Sequence, residues 1–196
     1  REPRQISKDS LLLAHDSTYV DEFLEQKLSE KEMRRIGLTP WTPKMIDRTL
    51  CLTGGALEAT IHAVEYGGIT GNMAGGTHHA HRDFGSGYCI FNDLAISAMY
   101  AIEKLGVKRV AILDLDVHQG DGTATILSNE ARTRTISVHC STNFPFRKSI
   151  SDFDLPLEPK AGDELFMEKV REAVELCVDF QPELVLYQAG VDGLEQ

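Results

Sequence analysis

The feature that most constrains this chain is the run Ile112-Leu-Asp-Leu-Asp-Val-His-Gln-Gly-Asp-Gly122. β-formers and Ala from Val110 to Leu115, interrupted by Asp114, lead straight into Asp116 and His118. A strand buried on both faces of a parallel sheet has this character, and open α/β sheets bind ligands beyond the carboxyl ends of such strands. Asp116 and His118 are two residues apart, so in extended geometry both side chains point the same way and can hold a divalent cation from one side. Two acids in an apolar strand need a compensating charge, which Asp114 and Asp116 must find nearby.

A length of 196 residues fits one domain with a substantial core. The formal charge of −10 argues against a nucleic-acid surface, and no basic patch is visible. No apolar run approaches the roughly 20 residues that span a bilayer, so no membrane partner is expected. Cys51, Cys89, Cys140 and Cys177 are far apart without a Cys-x-x-Cys pair, which favours free thiols in a reducing compartment. The expected location is the cytoplasm, or the nucleus in a eukaryote. The chain begins at Arg1 rather than Met, which leaves room for a removed targeting segment.

Leu11 to Ala14 reads as a short strand, and Asp16 to Leu28 as a helix capped by Ser17 or Thr18. Pro40 and Pro43 bar regular helix from Ile36 to Pro43. Ile46, Leu50, Leu57, Ile61 and Val64 keep helical spacing across Lys44 to Tyr66, with Gly54-Gly55 marking close packing. A glycine-rich loop from Gly67 to Gly87 carries His78, His79 and His81. Phe91 to Leu105 is a helix with Asn92 as cap and Gly106 as stop. A strand at Arg109 to Leu115, a short helix at Gly122 to Leu127 and a strand at Thr133 to His139 follow. After a long loop from Cys140 to Gly162 come a helix capped by Asp163 and a strand from Glu183 to Gln188. The alternation predicts a parallel, doubly wound α/β/α sheet of three layers.

Asp116, His118 and Asp192 all fall just beyond strand ends, and three such ligands leave a position open for water, the pattern of a catalytic zinc. An isolated Asp-x-His would read as a helix cap and a surface histidine. The third acid, and the pair His78-His79, turn the reading towards a metal. Asp114 and Asp121 bracket the motif and can each accept an imidazole N–H, which suits general acid/base work. Gly120-Asp121-Gly122 also reads as a plain turn. No phosphate-binding loop is present.

Gly75-Gly-Thr-His-His-Ala80, Gly85-Ser-Gly-Tyr-Cys-Ile-Phe-Asn-Asp93, Asp114-Leu-Asp-Val-His-Gln-Gly-Asp-Gly122 and Gln188-Ala-Gly-Val-Asp192 together resemble the zinc-dependent histone deacetylase family, in order and spacing. Arg35-Ile-Gly-Leu-Thr-Pro-Trp41 and Asn143-Phe-Pro145 look closest to its class IV branch and that branch's bacterial relatives. The resemblance implies an arginase/deacetylase-like fold and a zinc-dependent amidohydrolase that removes acetyl or other acyl groups from lysine-like amines through a metal-activated water. It maps Asp116, His118 and Asp192 to the zinc ligands. His78 and His79 match the catalytic histidine pair, with Asp114 and Asp121 as their carboxylate partners. His79 is expected to move the proton and His78 to support transition-state charge. Gly87 would accept the substrate amide N–H, and Tyr88 and Phe144 would flank an acyl-lysine channel. An inner monovalent-cation site, a structural K⁺, maps to Asp114, Ser137 and the carbonyls of Asp116, His118 and Val138. The implied partner is an acylated lysine peptide or an acetylated polyamine-like amine; the oligomeric state is left open.

One departure concerns the family's carbonyl-polarising tyrosine, in a Gly-Gly-Gly-Tyr stretch that follows the third metal ligand. No such stretch occurs here, and the family's N-terminal opening is also missing. Residues 1–196 are therefore expected to form a partial catalytic domain, weak or inactive alone, since one such donor contributes about 10²–10³ in rate. Two rivals remain: a metal-binding but catalytically silent module, and a binuclear-manganese ureohydrolase relative, against which His78-His79 speaks.

Overall fold

Residues 2–193 are described in a computed structural model, and Leu194 to Gln196 lie outside the described residues. The chain divides into two compact units, residues 1–106 and 107–196.

The first unit is helical. Ser7 caps α1 (Lys8–Leu11) by accepting the Ser10 N–H, so the segment expected as a strand at Leu11 to Ala14 instead winds into a helix end and turn. The alternation of apolar residues is too short there to outweigh a local cap. Asp16 caps α2 (Ser17–Leu24) through the Thr18 N–H at 2.8 Å, one residue ahead of the expected cap. A helix not anticipated from sequence, α3 (Glu30–Ile36), opens with a Ser29–Glu32 capping box and stops at Gly37 in a left-handed conformation. The long α4 (Lys44–Tyr66) and α5 (Asp93–Leu105) pack together, and Asn92 caps α5 through the Ala95 N–H as its sequence position foretold. Gly54 is where the N-terminal segment crosses α4: any Cβ there would run into the Arg4 carbonyl. The core of this unit gathers Phe91 against His15, Tyr19 and Phe23, and the buried Tyr19 hydroxyl donates to the Ile90 carbonyl at 2.8 Å.

The second unit carries the sheet: β1 (Val110–Asp114), β2 (Thr133–Cys140), β3 (Phe153–Leu157) and β4 (Leu184–Gln188), with α6 (Asp121–Leu127) and α7 (Asp163–Asp179) between them. All pairings are parallel and the strand order is β3-β2-β1-β4. The chain thus builds outward from β1 to β3, then returns to pair β4 on the other side of β1. That reversal is a topological switch point, where the ends of two strands diverge to leave room for a ligand. The core sets Ala111, Ile136, Val138, Leu155 and Leu157 against Ala173 and Cys177 of α7. The β3 strand lies within the segment expected to be loop. Its Pro156 has no N–H to give a ladder, which an edge strand tolerates and a central strand does not. The N-cap of α7 is Gly162, so Asp163 sits in the first turn, where its charge favours the helix dipole without capping it. The four cysteines form no disulfide, and no helix among the described residues is long and apolar enough to cross a membrane.

Candidate metal centre and histidine loop

Beyond Asp114 the β1 backbone makes one more ladder bond, Leu115 N–H to the Gln188 carbonyl at 3.1 Å, and then turns. The turn is held by the acids themselves: Asp116 N–H donates to Asp114 Oδ1 at 3.1 Å and His118 N–H to Asp116 Oδ1 at 2.8 Å. Aspartates favour such side-chain-to-backbone turns. Val117 N–H reaches Asp192 Oδ1 at 3.3 Å, which ties the ends of β1 and β4 together. The result brings three donors to one point. His118 Nδ1 lies 3.0 Å from Asp116 Oδ1 and 3.0 Å from Asp192 Oδ2. One ligand atom from each of the three residues lies within 4.8 Å of the other two.

This cluster passes a physical test for a metal. A single ring nitrogen carries at most one proton and cannot satisfy two carboxylates equally. Asp116 is 7% exposed, so water does little for its carboxylate, whereas Asp192 is open to solvent. Ligand atoms about 2.0 Å from a tetrahedral zinc would lie roughly 3.3 Å apart, close to the spacing observed. Gly190 contributes by its lack of a side chain, since a Cβ there would intrude on the Asp116 carboxylate.

Around the cluster, Asp121 begins α6 and is buried, as is Asp114. Asp114 sits opposite Ser137 in the β1–β2 register, and Val138 follows in the core. The Ser137 hydroxyl lies 2.9 Å from His139 Nδ1, and burial pulls the His139 pKa below its ordinary value. The Phe144 ring centroid lies 6.3 Å from that of His118 in an edge-on arrangement.

Sequence reading missed Gln119, which is 1% exposed. Its Nε2 donates to the Ser149 carbonyl at 2.9 Å and to Asp154 Oδ1 at 2.7 Å, while its Oε1 accepts the Ser149 N–H at 2.8 Å. The amide therefore pins the loop that follows Phe144 to the segment bearing Asp116 and His118. Lys148 closes that loop on itself by donating to the carbonyls of Asn143 and Pro145. Only the sequence position of Gln119, adjacent to His118, hinted at this role.

In the first unit, His78 and His79 are buried with ring centroids 4.1 Å apart. Gly87 and Tyr88 form the tip of a tight hairpin closed by Ser86 and Cys89. Both have positive φ, 52° and 65°, the signature of a type I′ turn. A bulky residue rarely adopts that conformation. Here the Tyr88 N–H is held by the Ile36 carbonyl at 2.7 Å, and its exposed ring passes over Gly37. The Gly87 carbonyl accepts from Cys89 Sγ at 3.3 Å, a weak donor.

Comparisons with known proteins bear on the family and the fold. The model of the histone deacetylase domain matches residues 1–196. The chain is 41% identical to an uncharacterised protein of Picosynechococcus over 192 residues, 97% of this chain and 63% of that protein. It is 32% identical to histone deacetylase 2 of Arabidopsis thaliana over 205 residues, 99% of this chain and 52% of that one. The crystal structure of an HDAC homolog from Aquifex aeolicus superposes with a TM-score of 0.84 at 28% identity, covering 98% of this chain and 57% of that chain. The chain thus spans half to two-thirds of the length of the relatives it matches, and its parallel α/β fold is theirs. It belongs to the histone deacetylase family.

Proposed function

We propose that this chain is part of a single catalytic domain whose full-length protein hydrolyses an amide, releasing an acetyl or related acyl group from a lysine side chain or a similar amine, with zinc held by Asp116, His118 and Asp192. The observation that carries the reading is the convergence of two carboxylate oxygens on His118 Nδ1, each at 3.0 Å, beyond the ends of adjacent parallel strands. When bound there, zinc would supply a Lewis acid that polarises the scissile carbonyl and makes water a better nucleophile near neutral pH.

The remaining roles follow from the motifs and belong to the protein's own groups. His79 takes a proton from the attacking water and delivers it to the leaving amine, and His78 supports the charge that develops in between. By the resemblance, Asp114 and Asp121 are the carboxylate partners of the two imidazoles, a role that would fix their tautomers. The Gly87 carbonyl accepts the substrate amide N–H, while Tyr88 and Phe144 flank the acyl-lysine. Asp114, the Ser137 hydroxyl and the carbonyls of Asp116, His118 and Val138 are the groups that would hold a structural potassium ion. Acylated peptides and acetylated polyamines are the substrate classes to compare.

The test is made in the natural full-length protein. Elemental analysis should find one zinc, and Asp192→Ala should lose it. His79→Ala should keep the zinc but lower kcat/KM on an acetyl-lysine peptide by about 10²–10⁴. Two manganese ions would point instead to ureohydrolase chemistry. Zinc binding without turnover of any acylated amine would leave a silent metal-binding module.

A further inference from the structure

Asn92 and Asp93 sit at the start of α5, 0% and 1% exposed, and an N-cap needs only the first of them. The Asp93 carboxylate faces the loop that precedes the histidine pair. Its Oδ2 accepts the Gly76 N–H at 2.8 Å, and its Oδ1 accepts both the N–H and the hydroxyl of Thr77 at 2.8 Å. The Asp93 N–H donates back to the Thr77 hydroxyl at 3.2 Å. Gly75 is required for this approach, because a Cβ there would stand 2.6 Å from Asp93 Oδ2. Asn92 works from the other side. Its Nδ2 donates to the carbonyls of His78 at 3.2 Å and Ala80 at 3.0 Å, while its Oδ1 caps the helix. Its own N–H is taken by His15 Nε2 at 2.8 Å. The backbone before His78 and the carbonyls on either side of His79 are thus all tied to two adjacent residues that never enter the assigned chemistry.

We infer that Asn92 and Asp93 are positioning residues for the reaction, acting on His78 and His79 through the backbone of residues 76–80. The inference rests on the reading of those histidines as the proton-transfer groups. The physical reason is stringency: a shift of about 1 Å in a catalytic group can cost roughly 100-fold in rate while leaving the fold intact. A glycine-flanked loop has no regular ladder to hold it, so side chains from a rigid helix must supply the constraint.

Asn92→Asp separates the two duties of that residue. Aspartate still caps α5, but it presents an acceptor where Asn92 presented a donor to two carbonyls. In the full-length protein on an acetyl-lysine peptide, kcat per zinc-loaded folded molecule should fall by about 10- to 100-fold with KM within about twofold of wild type. Unchanged kcat, or a change confined to KM, overturns the inference. If Asn92→Asp does not fold, Thr77→Val is gentler: it removes the two bonds of the Thr77 hydroxyl with Asp93 and keeps those of the Gly76 and Thr77 N–H groups. It should lower kcat about several-fold at unchanged KM and zinc content, and a wild-type kcat there overturns the inference as well. His79→Ala, run alongside, separates the two levels of the argument. An active His79→Ala sinks the histidine reading itself, whereas an inactive one beside a fully active Asn92→Asp sinks only the positioning role.

Discussion

His15 is 2% exposed, and burial draws its pKa down to about 4. Its Nε2 accepts from Asn92, so the ring is neutral with its proton on Nδ1, which lies near the carbonyls of His81 and Arg82 without a well-aligned bond to either. In the unfolded chain the same ring titrates at its ordinary value of 6.5. Between these values the unfolded state binds a proton that the folded state refuses. Stability from this group is therefore complete above pH 6.5 and is lost as pH falls towards 4. At about 1.4 kcal/mol per pKa unit, the loss amounts to about 3 kcal/mol. Urea unfolding at the two ends of that window should show it, and His15→Gln should flatten the slope. Equal slopes in variant and wild type would remove His15 from the account. From sequence, His15 carried no signal, because its role depends on Asn92, a contact 77 positions away. The clustering of the proposed metal ligands was legible for the opposite reason. A two-residue offset in extended chain fixes the direction of Asp116 and His118 with no knowledge of the rest of the fold.

At the scale of elements, helices were readable where a cap and a glycine stop agreed with the apolar period, as in α5 between Asn92 and Gly106. They were misread where the cue was one residue off, as at Asp16 and Gly162. The β3 strand escaped because Pro156 and the acids beside it resemble a loop, and only the position of β3 at the sheet edge makes them acceptable. The pairing of β4 with β1 was likewise beyond local pattern, yet it brings Gly190 against Asp116. Gly190→Ala should therefore weaken zinc binding about 10- to 100-fold by displacing that carboxylate. Gly193→Ala is the control: its Cβ would meet Val117 at 3.7 Å, an ordinary contact. Competition with a chelator reads both, and equal affinities would show that the carboxylate can move aside.

At the scale of the whole chain, the formal charge of −10 would favour a cationic substrate of the proposed reaction through its long-range field. Raising salt from about 10 mM to about 150 mM shortens the Debye length from about 30 Å to about 8 Å. Over that range kcat/KM should fall for an acetyl-lysine peptide flanked by lysines and stay level for one flanked by neutral residues. Parallel profiles for the two would mean that the acidic groups lie away from the approach path. The bond between Val117 and Asp192 spans 75 positions of chain. Closing a flexible loop of that length costs about 4 kcal/mol in (3/2)RT ln n beyond a constant. Non-local parallel pairing of this kind folds slowly. Asp192, the proposed third ligand, follows β4, so an ion at the proposed site would be fully coordinated only after β4 has paired with β1. Metal capture at the proposed site would then follow the β1–β4 pairing, and zinc withheld during refolding should leave β4 as the first strand to exchange its amide hydrogens.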